Sequence, residues 1–200
     1  MANTNAPFGF QHVGYMPGYA TDQAYRPSVI ASDYGTNIYF GDPVLQMNSG
    51  YIQQAVNGAT LGPIGIFYGC EMQLSDGRVV YSPYWPGGGA ANAVARVMMA
   101  PGALFKVQAN AGPITFADIG QNADFTIGSG STKGGCFSGA TLSGLGTTAT
   151  LPFRIVGLMG GAINAGGQGE QGNGSDNTSA YNHVLVTFNQ QDFRAGTGGV

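Results

Sequence analysis

Glycine interrupts this chain so often that a helix of ordinary length has almost nowhere to form. There are 35 glycines in 200 residues, with ten prolines among them. Glycine lacks a Cβ and proline lacks an N–H, so both punctuate regular structure. What survives between them is a series of short runs. Residues 37–40 and 44–47, separated by Gly41-Asp-Pro, read as strand, turn and strand. Residues 62–70 form an apolar run of strand length. Asp76-Gly77 then stands between it and Arg78-Val-Val-Tyr, the strongest hairpin signal in the chain. Two further runs, 94–99 and 104–107, are split by Pro101-Gly102, and 118–127 can hold another strand. Alternation is weak at 136–138 and 140–143, and 151–159 carries its proline near the start, where the missing N–H does least harm. Residues 181–188 give the cleanest pattern, with Val184, Val186 and Phe188 on one face and His183, Leu185 and Thr187 on the other. Helix-like composition is confined to 89–95. Eight to ten short strands without a helix predict an all-β sandwich or barrel.

Three zones differ in composition. Residues 1–25 mix Asn, Gly, Pro and aromatics without a period, which predicts an extended N-terminal arm. Phe8, Phe10, Tyr15, Tyr19 and Tyr25 are unusual in a solvated tail and suggest an arm that lies on something, expected here to be a neighbouring subunit. Residues 26–188 make the β domain. Within it, the glycine loop at 165–177 is a further candidate contact surface. Residues 189–200 return to a polar, glycine-rich C-terminal tail.

Charge is scarce. Seven Lys and Arg stand against ten Asp and Glu, where an average soluble chain of this length would carry roughly 50 charged residues. The cations do not cluster, so no nucleic-acid or anionic-lipid footprint is expected, and no run of 18 apolar residues could span a membrane as a helix. A monomer of this mass should expose about 8,800 Å², which leaves about one charge per 500 Å². Neutral polar side chains could supply the missing solubility. The alternative is that much of the surface lies against other protein.

Groups that titrate, attack or coordinate are few. His12 lies in the arm and His183 opens a strand, neither with a partner at ligand spacing, so no metal site is expected. Gly135-Cys-Phe-Ser-Gly misses the nucleophile-elbow pattern by one position. Gly167-Gln-Gly-Glu-Gln-Gly spells a dinucleotide fingerprint without the strand and helix that would give it meaning. Asp42 and Asp76, before Pro and Gly, read as turn chemistry. Cys70 and Cys136 read as buried thiols, with a mutual disulfide as the alternative. No catalytic residue and no cofactor is expected. Residues 81–86, with Tyr84, Trp85 and Pro86 foremost, form an aromatic and proline segment that suits a protein interface, or else a stacking platform for a glycan.

Several segments together resemble virion proteins of tailed bacteriophages. They are Met1-Ala-Asn-Thr-Asn-Ala-Pro-Phe-Gly-Phe, Gly65-Ile-Phe-Tyr-Gly-Cys-Glu, Ser82-Pro-Tyr-Trp-Pro-Gly, Leu104-Phe-Lys-Val-Gln-Ala, Leu151-Pro-Phe-Arg-Ile-Val-Gly-Leu and Ser179-Ala-Tyr-Asn-His-Val-Leu-Val-Thr-Phe-Asn. The better understood members of that group are capsid decoration, or cement, proteins. The resemblance implies a non-enzymatic protein on the outer surface of the capsid, made in the host cytoplasm. Its partners would be the major capsid protein and further copies of itself, with a trimer favoured and a dimer as the alternative. A receptor- or glycan-binding module of a tail or spike is one rival reading, and a hydrolase built on scattered carboxylates is another.

Overall fold

The hairpin that Asp76-Gly77 announces is the clearest local structure in the chain. Leu74 N–H donates to the Arg78 carbonyl at 2.8 Å and Gly77 N–H to the Leu74 carbonyl at 2.9 Å. Gly77 takes φ +87°, so a three-residue loop closes on a left-handed glycine. The strands it joins are β5 (Gly65–Leu74) and β6 (Val79–Ser82). This computed structural model describes residues 3–19, 24–57, 62–110, 112–159, 169–170 and 176–191.

Around the hairpin a six-stranded sheet assembles from β2 (Tyr25–Ile30), β3 (Pro43–Gln46), β4 (Ile52–Gln54) and β7 (Ala90–Met98). Its order is β3-β4-β2-β7-β5-β6, and β3 also pairs with β5. That extra pairing closes five strands into a barrel and leaves β6 hanging from β5 as an edge. A second, seven-stranded sheet runs β1 (Gln11–Tyr15), β8 (Ala103–Gln108), β13 (His183–Phe188), β11 (Phe153–Met159), β9 (Asn122–Thr126) and β10 (Thr141–Gly146), with the two-residue β12 (Gly169–Glu170) beside β11. The fold is all-β. Among the described residues, the helical content is one 3-10 turn at Phe116–Asp118.

The segment with helix-like composition is a strand. Ala90, Ala93, Ala95 and Val97 of β7 point into the narrow barrel beside Trp85, Phe67 and Cys70. Small side chains are needed there because the indole fills the space, so packing overrides the weak β propensity of alanine.

Two bulges set which side chains enter the barrel. On β5 the register with β7 shifts between Phe67 and Cys70, where one extra residue reverses the alternation. Ile66 and Tyr68 therefore face the core shared with the seven-stranded sheet, whereas Phe67, Cys70 and Met72 face the barrel interior. Gly69 sits in the bulge at φ +98°, with the Tyr81 hydroxyl 2.3 Å from where a Cβ would lie. On β7 the shift falls opposite Glu71 and Gln73, and Asn92 adopts φ +48°.

The N-terminal segment is extended, as expected, but from residue 3 to residue 15 it packs on its own chain. Phe10 has 0 % exposure and stacks on Phe153 with ring centroids 4.4 Å apart. Phe10 N–H donates to the Gly41 carbonyl at 2.9 Å, and Gly9, at φ +73°, allows that approach. β1 pairs antiparallel with β8. Asn3 Nδ2 reaches the carbonyls of Asp176 and Ala180 at 2.7 and 3.0 Å, and Asn3 Oδ1 accepts from Asp176 N–H. Gln108 holds Thr4 and Ala6 in the same way. The described part of the arm is a component of this chain's own core and sheet.

Candidate protein-binding face

A barrel wall in solvent should be polar outside. Here the outer wall away from the seven-stranded sheet carries exposed apolar side chains interspersed with Glu71, Gln73, Asn92 and Arg96. The pairings Val29↔Val94, Glu71↔Val94 and Glu71↔Tyr81 place Val29, Val94, Glu71 and Tyr81 in one row across β2, β7, β5 and β6. Of the four, only Glu71 is charged. Tyr25 extends the apolar surface along β2 and Val79 extends it along β6, where it is 69 % exposed. Two ion pairs dilute it. Arg96 meets Glu71 at 3.4 Å and Arg78 meets Asp76 at 2.7 Å, all four side chains being well exposed, so each contributes little.

Where this wall meets the second sheet, a groove of about 660 Å³ opens, lined by Tyr25, Arg26, Pro27, Phe40, Tyr68, Tyr81 and Arg96. The Gly69 bulge shapes it. With no Cβ in the way, the Tyr81 ring lies across the bulge and its hydroxyl donates to the Tyr68 carbonyl at 2.8 Å. Arg96 stands over the same ring, 5.4 Å from its centroid. Tyr68 anchors the floor: its hydroxyl donates to the Phe10 carbonyl at 3.1 Å and accepts the His12 N–H, and burial raises its pKa. The floor is therefore neutral and tied to the N-terminal segment by two hydrogen bonds.

The residues singled out from the sequence separate into two kinds. Phe10 and Trp85 are corrections, since both are fully buried core residues. Trp85 can be buried because its indole N–H donates to the Tyr34 carbonyl at 2.9 Å, and its backbone bridges Ile38 in both directions. Phe8 is half-buried against His183 and Lys106 of its own chain. Tyr15 packs beside the core, Tyr84 is half-buried in a stack with Tyr39, and Pro86 is half-buried next to Trp85. Tyr19 is exposed, its ring lying over Gly102. Most of the 165–177 loop and residues 192–200 lie outside the described residues. Tyr25 and Tyr81 fell within segments singled out from the sequence. Val29, Val79 and Val94 did not, although Val79 and Tyr81 alternate with Val80 as an edge strand should.

Among the described residues no group of three His, Cys, Asp or Glu side chains could hold a metal ion. Both cysteines are unbonded thiols in separate surroundings, and burial pushes that of Cys70 up to about 12. No described helix is long and apolar enough to cross a membrane.

The remaining buried acid is structural. Asp42 is fully buried, where its carboxylate accepts from Tyr39 N–H and Gln54 Nε2 at 2.7 Å each and from the Ser138 hydroxyl. It thus ties the turn before β3 to β4 and to the 136–140 loop. Burial raises its pKa above the ordinary carboxylate value, against the pull of those three donors.

None of the family models, curated proteins and solved structures compared with this chain matches it.

Proposed function

We propose that this chain is a capsid decoration protein of a tailed bacteriophage, binding the outside of the head and stabilising contacts between major capsid protein subunits. One observation carries the reading: the outer barrel wall exposes four apolar side chains, Val29, Val94, Val79 and Tyr81, around the single acid Glu71. The 9583 Å² of exposed surface, set against 17 charged residues, gives about one charge per 560 Å², sparse for a chain that works alone in solvent. The segments that resemble phage virion proteins point the same way. Many weak apolar contacts, multiplied over a shell, give high avidity without a single strong site. Each bound copy then favours the assembled shell by mass action. The glycan-binding reading rested on Tyr84 and Trp85 as a platform, and Trp85 offers no exposed face for a sugar ring to stack on.

The test compares phage heads with and without this protein under heat or osmotic shock. Heads that carry it should survive better, and equal survival would end the cementing role. Val29→Asp and Val94→Asp, each placing a carboxylate on the apolar wall, should lower occupancy on the heads by about tenfold or more while leaving the fold intact.

A further inference from the structure

We propose that β6 is a self-pairing edge, and that two copies of this chain join antiparallel through it about a two-fold axis at Val80. The inference rests on the decoration reading only for where such pairs would be used. The pairing itself is a property of the isolated chain.

The edges of the two sheets are treated differently. β1 is bulged between His12 and Gly14, and β10 between Ser143 and Gly146, with Leu142 already bridged to Ala109. Bulges of this kind twist an edge away from further pairing. β3 is paired on both sides, and β2, which meets β4 only at Ile30, carries Arg26 and Pro27 along the rest of that side. β6 is regular over all four residues, carries no charge, Gly or Pro within them, and has no described strand on its outer side. It is the one unblunted edge of ordinary strand form among the described residues.

Its register with β5 fixes what it offers. The hairpin bond from Leu74 N–H to the Arg78 carbonyl makes 74↔78 a hydrogen-bonded pair, so 72↔80 and 70↔82 are hydrogen-bonded as well. The N–H and C=O groups of Val80 and Ser82 are thus turned toward β5. Those of Val79 and Tyr81 are turned outward. Pro83, having no N–H, ends the donor row at one side, and the hairpin turn ends it at the other.

A second β6 fits this edge in one register. Val79 opposite Tyr81 of the second copy, and Tyr81 opposite Val79, lets all four outward N–H and C=O pairs close, giving four hydrogen bonds. Both residues lie on the exposed face, so the register also matches an aliphatic side chain with an aromatic one on each side of the axis. Arg78 then faces Ser82 of the second copy, and no like charges meet. Shifting by one residue would put exposed side chains opposite buried ones. Two four-residue strands bury little area, which places the contact with weak, concentration-dependent interfaces. An isologous contact makes pairs, so it selects the dimer over the threefold assembly that the resemblance favours.

Sedimentation equilibrium of the full chain over a hundredfold concentration range tests this. The mass should rise from 20.5 kDa toward twice that value. Val79→Pro removes an outward N–H that β5 does not use, and should hold the mass at the monomer with an unchanged circular dichroism spectrum. Should that variant misfold, Val79→Lys replaces it, placing a charge on the edge. Val80→Cys supplies an independent reading. The 80↔80 pair is of the non-hydrogen-bonded kind with Cα atoms about 4.5 Å apart, so oxidation by copper phenanthroline should join two copies by a disulfide. The wild type, with its two buried thiols, should not crosslink. A mass that stays at the monomer, an oligomer indifferent to Val79→Pro and Val79→Lys, or no crosslink at position 80 would each overturn the proposal. Loss of particle protection with the dimer intact would instead count against the decoration reading alone.

Discussion

The Tyr81 hydroxyl donates to the Tyr68 carbonyl at 2.8 Å across a bulge whose central residue, Gly69, has its missing Cβ position 2.3 Å from that same hydroxyl. Ring, bulge and barrel alternation are therefore one arrangement. Gly69→Ala should strain the backbone at φ +98° and displace the ring, costing about 1–3 kcal/mol in a urea titration. Tyr81→Phe keeps the ring and loses the bond, and should cost about 1 kcal/mol. If the glycine substitution proves the milder of the two, the bulge does not depend on the absent side chain.

The arm should behave as core. Phe10→Ala leaves a hole beside Phe105 and Phe153 and should cost about 3–5 kcal/mol, read as a lowered urea midpoint with an unchanged slope. Removing residues 2–15 should do more, because it also strips β1 from β8. A truncated chain that melts with the wild type would show that the segment merely covers a finished domain.

Asp42 gives the stability an acid-side signature. Its pKa in the folded state is raised, so the folded chain holds this proton more tightly than the unfolded chain does. The favourable contribution is complete below the unfolded pKa, at pH of about 4, and is lost as pH rises through the folded value. Wild type should therefore gain stability relative to Asp42→Asn as pH is lowered from 7 toward 4, in parallel denaturant titrations. Asp42→Ala, which leaves Tyr39 N–H and the Ser138 hydroxyl without their acceptor, should cost about 1–3 kcal/mol at any pH. A constant gap between wild type and Asp42→Asn across that range would show that the carboxylate is not perturbed.

The β content was legible because glycine and proline cut the chain at strand length, and Asp76-Gly77 marks its hairpin without tertiary help. Residues 181–188 show the limit of alternation. Val184, Val186 and Phe188 do enter the core, but Leu185 and Thr187 are buried too, the Thr187 hydroxyl lying against the Pro101 and Ala103 carbonyls. The alanines of β7 misled because their reason is the indole of Trp85, a partner remote in no simple period. Trp85 itself misled because its neighbours are Pro and Gly, while the Tyr34 carbonyl that lets it be buried is 51 positions away. The row of exposed apolar side chains on the barrel wall went partly unread for a related reason. Val29, Val94 and Tyr81 become one row only once three strand registers are known.

The placement of Phe10 also sets a clock. Its stacking partner Phe153 lies 143 positions downstream, and a ribosome adding about 5–20 residues per second takes roughly 7–30 s to reach it. Through that interval Phe10 has been made and the ring it stacks on does not exist, although β8, the strand that pairs with β1, appears earlier. The five-stranded barrel, complete by residue 98, can close while the N-terminal aromatics are still waiting. The stack of Phe10 on Phe153 is thus a contact that can close only after the barrel has.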